Sequence, residues 1–131
     1  MGGYVIAAVD DIFFASKIRA TAAHLGLDVR FARSADAVVE LARKQRPALV
    51  IADLHSRTCD PLGLAERLKA DAELRALPLV GFFSHVQTAL RLQAQAAGFD
   101  RVIPRSVFTK HLSEILAGGT DGAGAQSDTP D

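Results

Sequence analysis

The sequence predicts an α/β protein with a doubly wound, five-stranded parallel sheet in the flavodoxin-like order 2-1-3-4-5 and helices on both faces. Two observations carry this prediction. Short aliphatic runs over residues 4–9, 28–32, 48–53, 77–83 and 101–104 alternate with longer segments of helical period. Three of the runs, VIAAV, ALVIA and LPLVGFF, are continuously apolar, as strands buried on both faces of a parallel sheet require, and they belong at its centre. The short connections favour right-handed crossovers that return each helix to the sheet.

Each helix carries its own punctuation. Asp11 caps the first, in which Phe14, Ile18, Thr21, Ala22 and Leu25 share one face and Gly26 is the stop. Ser34 caps the second, with Asp36 in its first turn, Arg43 and Lys44 in its last, and Pro47 beyond. Asp60-Pro61 reads as N-cap followed by proline at the first helical position, opening a third helix to about residue 72. The fourth is expected over about 86–97, closed by Gly98, and the fifth over 106–118.

With 131 residues, 49% of them apolar, the chain is read as one domain over residues 1–117. Residues 118–131, GGTDGAGAQSDTPD, have four glycines and no large apolar side chain, so they are expected to be a disordered tail. Fifteen Lys/Arg balance fifteen Asp/Glu, and nothing in the bulk charge predicts attraction to nucleic acid or membrane. The lone Cys59 excludes a disulfide framework and is read as a semi-exposed loop thiol. No apolar run approaches the roughly 18 residues of a membrane span, and no signal peptide is visible. A cytoplasmic protein is expected.

In such a sheet the functional crevice lies at the carboxyl ends of the strands, beside the switch point between the first and third. There the sequence places Asp10 and Asp11, Asp53, Ser84, and Pro104-Arg105-Ser106. Three carboxylates at one edge repel and ask for a cation, most simply Mg²⁺ held by Asp10, Asp11 and Asp53. Asp53 is then a nucleophile toward a phosphoryl donor, with Ser84 and Arg105 to bind phosphoryl oxygens. The plainer readings make Asp11 an N-cap, Ser84 the N-cap of the following helix, and Arg105 a surface ion-pair residue.

Val9-Asp10-Asp11, Val50-Ile51-Ala52-Asp53-Leu54, Ser84 and Ile103-Pro104-Arg105-Ser106 stand in the order and strand positions of a known family. Over residues 4–117 the chain resembles the receiver domain of bacterial two-component response regulators, the chemotaxis-type single-domain regulators in particular. The resemblance implies that Asp53 accepts phosphate from a histidine kinase, that Asp11 binds Mg²⁺ directly, and that Asp10 assists largely through water. It makes Ser84 the switch hydroxyl, and the protein a signalling module instead of an enzyme. A separate output protein or a homodimer would read the surface of the fourth and fifth strands and helices; the fourth helix, VQTALRLQAQAA, carries only Arg91 as a charge.

The departures are specific. Arg105 stands where receivers usually have lysine, and a planar guanidinium on a longer stem does not reproduce an ammonium point contact. Val102 occupies the position of the β-strand aromatic that often reports activation. Arg57 replaces a common proline and Pro61 a common glycine. Arg57 and His55 are expected to add positive charge near the pocket, and Phe13 to lie over its mouth. The alternative is a pseudo-receiver, a phosphorylation-independent interaction module whose Arg105 already neutralises Asp53 or Asp11.

Other chemistry lacks its signature. There is no GxGxxG after the first strand and no GxxxxGK[ST], and an acidic first loop is wrong for a flavin phosphate. Asp-Leu-His-Ser-Arg-Thr is similar to part of the cobalamin-binding signature but lacks its glycine and follows the third strand. His24, His55, His85 and His111 are not at metal-ligand spacing and are read as surface residues.

Overall fold

The computed structural model describes residues 4–84 and 87–118. Its elements run β1 (Tyr4–Ala8), α1 (Ile12–His24), β2 (Asp28–Phe31), α2 (Ala35–Lys44), β3 (Leu49–Asp53), α3 (Pro61–Ala70), β4 (Leu79–Phe83), α4 (Thr88–Ala97), β5 (Arg101–Pro104), α5 (Arg105–Lys110) and α6 (Leu112–Gly118). All strand pairs are parallel and the order is β2-β1-β3-β4-β5, as the apolar runs predict.

Burial follows from that order. β1 and β4 are buried along their whole length and β3 up to Asp53, whereas the edge strand β2 alternates between exposed and half-buried residues. Successive side chains of the central strands enter opposite cores. Tyr4, Ile6, Ala8, Val50 and Ala52 face one core with Val38, Leu64, Leu68 and Phe99. Val5, Ala7, Val9, Leu49, Ile51, Val80 and Phe82 face the other with Phe14, Ile18, Phe108 and Ile115. Gly81 admits Phe99 to the first core, since a β-carbon there would lie 2.9 Å from the Phe99 ring and 3.0 Å from Leu54 Cδ2.

The helix ends match their punctuation at α1 to α3. Ser34 Oγ accepts from Ala37 N at 3.0 Å. Gly26 adopts φ +74°, so that Gly26 N reaches Ala23 O and Leu27 N reaches Ala22 O, closing the last turn of α1. Asp60 caps α3 from the left-handed region, φ 45°, and accepts from Gly63 N. A side chain at 63 would collide with the capping carboxylate.

Two expectations need correction. The predicted fifth helix is two helices broken at His111 (φ −109°, ψ 22°), whose ring bonds Glu114 at 2.8 Å. Ser84 does not cap α4; the capping position is Gln87, without a side-chain bond. The expected tail lies outside the described residues beyond Gly118, which ends α6, and so does His85. Among the described residues, no helix is long and apolar enough to cross a membrane.

Candidate functional site

β1 and β3 pair in parallel register up to Ala8 with Ala52, so the residues that follow them emerge at one edge of the sheet. Asp10 and Asp11 follow β1, Asp53 ends β3 opposite Phe82 of β4, Ser84 follows β4, and Arg105 follows β5.

Asp11 performs both the plain role and a second one. Its Oδ1 caps α1, accepting from Phe13 N at 2.9 Å and Phe14 N at 3.1 Å. Its Oδ2 accepts from Arg105 Nη2 at 3.0 Å. The Phe14 amide, then the Arg105 side chain, hold the Asp11 carboxyl below its ordinary pKa. Arg105 is also seated from below: its guanidinium carbon lies 4.3 Å from the centre of the Phe14 ring. Phe14 in turn packs on Phe82 and Phe108, with ring centres 4.8 and 5.7 Å away. The arginine is therefore fixed between a carboxylate and an aromatic trio.

Asp10 turns to the loop between β3 and α3. Its Oδ1 accepts from Thr58 Oγ1 at 2.7 Å, and its Oδ2 from Ser56 Oγ at 3.0 Å and Arg57 N at 3.2 Å. Burial alone would raise its pKa, but the bonds from Thr58, Ser56 and the loop backbone outweigh this and lower it.

Asp53 is half-buried, and its Oδ1 accepts from His55 N at 2.9 Å. None of the described residues donates to its Oδ2. Burial pushes its carboxyl above the ordinary pKa; the His55 N–H and the charges of His55 and Arg105 pull down, and Asp10 pushes up. Asp53 thus lies within electrostatic reach of both Asp10 and Arg105. Ser84 is exposed.

The three acids share an edge but face different partners. Among the described residues no group of three or more His, Cys, Asp or Glu side chains is arranged to hold a metal ion. Asp10 is drawn to the β3–α3 loop and Asp11 to α1 and Arg105. The donor chemistry still fits Mg²⁺, a hard ion that keeps several waters and needs only one or two carboxylates.

Sequence reasoning missed three contributors. Ser56 and Thr58 bind Asp10, and Phe14 seats Arg105. The Ser-Arg-Thr run shortly after Asp53 was the available signal for the first two; Phe14 is apolar and reads only as core. Cys59 was expected to be semi-exposed but is fully buried, its thiol 3.4 Å from Ala32 O, because the loop folds inward to reach Asp10. Phe13 is 87% exposed beside an exposed Ile12. Val102 is buried.

No family model and no curated protein sequence matches the chain. Solved structures do. The phosphorylated cyanobacterial phytochrome response regulator RcpA aligns over 100% of both chains at TM-score 0.78 and 16% identity. The signal receiver domain of a signal transduction histidine kinase from Syntrophus aciditrophicus covers 99% of this chain and 98% of its own, at TM-score 0.74 and 19% identity. Chemotaxis response regulator CheY4 of Vibrio cholerae covers 88% of this chain and 100% of its own, at TM-score 0.73 and 16% identity. The chain has the fold of response regulator receiver domains.

Proposed function

We propose that the protein is a receiver in two-component signalling, phosphorylated on Asp53 in a Mg²⁺-dependent reaction. The observation that carries this reading is the state of Asp53: half-buried at the switch point of a receiver fold, with one oxygen engaged by His55 N and no donor to the other among the described residues. A carboxylate held above its ordinary pKa by burial is also a stronger nucleophile once ionised. It attacks phosphorus, the P–N bond of a histidine kinase's phosphoimidazole breaks, and the imidazole leaves with the bonding pair and takes up a proton. Mg²⁺, when bound, neutralises charge on the phosphoryl oxygens.

In this reading Asp53 holds the cation with Asp11, Asp10 assists through water, and the exposed Ser84 hydroxyl binds a phosphoryl oxygen. Arg105 must leave Asp11 or extend from it to reach another. The β4–α4–β5–α5 face, on which Leu92 is 59% exposed, presents the result to a separate output protein or a second copy. The role is that of a signalling module in the cytoplasm and not of an enzyme.

One observation favours the second reading, a pseudo-receiver that binds partners without phosphorylation. The Arg105–Asp11 pair over Phe14 satisfies the arginine with neither cation nor phosphate. The test is exposure of the wild type and Asp53→Asn to a small phosphoramidate donor with Mg²⁺, followed by intact-mass measurement. One phosphoryl adduct on the wild type and none on the variant is expected. An adduct on both, or on neither, overturns the assignment of Asp53.

A further inference from the structure

Asp10, like Asp11, accepts three hydrogen bonds, but its three donors all come from one short stretch of loop, residues 56–58. The hydroxyl of Ser56 is itself fixed, because it accepts from Cys59 N at 3.1 Å while donating to Asp10. Ser56 N is bonded to Asp53 O at 3.0 Å, and Cys59 is anchored through its thiol to Ala32 O. The loop therefore cannot tilt at Thr58 alone; its grip on Asp10 is braced by β3 on one side and by the segment after β2 on the other. The Arg57 donor is a backbone N–H, which a proline at that position would lack.

A carboxylate has about four lone-pair sites, and three of those on Asp10 face hydrogen-bond donors whose positive ends point at it. A divalent cation arriving at the same carboxylate meets those donors and must displace them or stay a water molecule away. We infer that Ser56 and Thr58 are positioning residues that clamp Asp10 to the β3–α3 loop and thereby weaken divalent-cation binding at the Asp53 site. Cation binding and the conformation of this loop are then coupled, since tighter engagement of Asp10 requires the loop to release it. The inference rests on the reading of Asp53 as a cation-assisted phosphoacceptor and adds to it the residues that set the cation affinity.

Thr58→Val is the direct test, because Thr58 is exposed and the variant keeps its shape while losing the hydroxyl. Thr58→Ser is the rescue variant, and Thr58→Val with Ser56→Ala removes both side-chain donors. Each protein is titrated with Mg²⁺ and followed by two-dimensional amide NMR at His55 and Arg57, with thermal melts to confirm the fold. Losing one hydroxyl is expected to tighten Mg²⁺ binding by about threefold or more, and losing both by about tenfold. The serine variant should bind like the wild type, and the Arg57 amide should move as Mg²⁺ is added. Equal or weaker binding by a folded Thr58→Val protein, with the wild type still binding, overturns the clamp and leaves the cation reading intact. Absence of Mg²⁺ binding in the wild type and in both hydroxyl-deleted proteins overturns both.

Discussion

Arg105 donates a single hydrogen bond to Asp11, Nη2 to Oδ2 at 3.0 Å, with the guanidinium resting 4.3 Å above the Phe14 ring. The contact joins the two ends of the domain, the start of α1 and the start of α5, across the edge where Asp53 emerges. It gives Arg105 a resting place that uses what distinguishes it from lysine, a flat delocalised cation able to stack and to pair at once.

Replacing that arginine separates the two uses. Arg105→Lys gives up the stacking on Phe14 and is expected to cost about 0.5–1 kcal/mol of stability in chemical denaturation. The same variant is expected to bind beryllofluoride more tightly in the presence of Mg²⁺, because an ammonium held less firmly at Asp11 is freer to meet a phosphoryl mimic. Loss of stability with no gain in binding would show that the arginine is not the restraint.

The acidic limb of the stability curve follows from the pKa directions. Asp10 and Asp11 have folded values below their ordinary 3.8, so they contribute stability that is complete above that value and is lost as pH falls through the lowered ones. Asp53 has the opposite sign: its folded value is raised, so its charge disfavours the fold above that value, and the penalty disappears on acidification. Melting curves between neutrality and pH of about 3 should therefore show Asp11→Asn with a shallower acid loss than the wild type and Asp53→Asn with a steeper one. Superimposable curves for all three proteins would contradict these assignments.

Gly81 is required by its neighbours. Its missing β-carbon leaves room for the Phe99 ring and Leu54, which approach that point to 2.9 and 3.0 Å. Gly81→Ala is expected to destabilise the protein by about 1–3 kcal/mol in urea denaturation, as overpacking of a buried sheet does. A change below a few tenths would mean that Phe99 moves aside at little cost.

Cys59, fully buried in the loop that grips Asp10, should react with a thiol reagent only when that loop opens. In native buffer its modification is expected to be much slower than in denaturant, and slower in wild type than in Thr58→Val. Rapid native modification at the unfolded rate would contradict its burial.

The sheet and the position of the site were legible because both rest on patterns carried by single residues. Continuous apolar runs marked β1, β3 and β4 as central, and the acids, Ser84 and Arg105 immediately after strand ends could only emerge at one edge. What each side chain touches was not legible. The partners of Asp10 lie 46 to 48 residues away in an irregular loop, and no periodicity predicts where such a loop folds. The break at His111 lacks the glycine or proline that follows α1, α2 and α4, and it is held by a local His111–Glu114 contact. The burial of Cys59 was not legible either, since it depends on that inward turn.

On this reading Asp53 is a working phosphoacceptor despite Arg105. That role is tested most directly by two-dimensional amide NMR of the wild type with Mg²⁺ and then beryllofluoride. Shifts are expected at Asp11, Asp53 and His55 on Mg²⁺ addition, spreading with beryllofluoride to Ser84 and along α4. An unchanged spectrum at saturating concentrations of both would contradict the role, and would identify the Arg105–Asp11 pair as the permanent state of a pseudo-receiver.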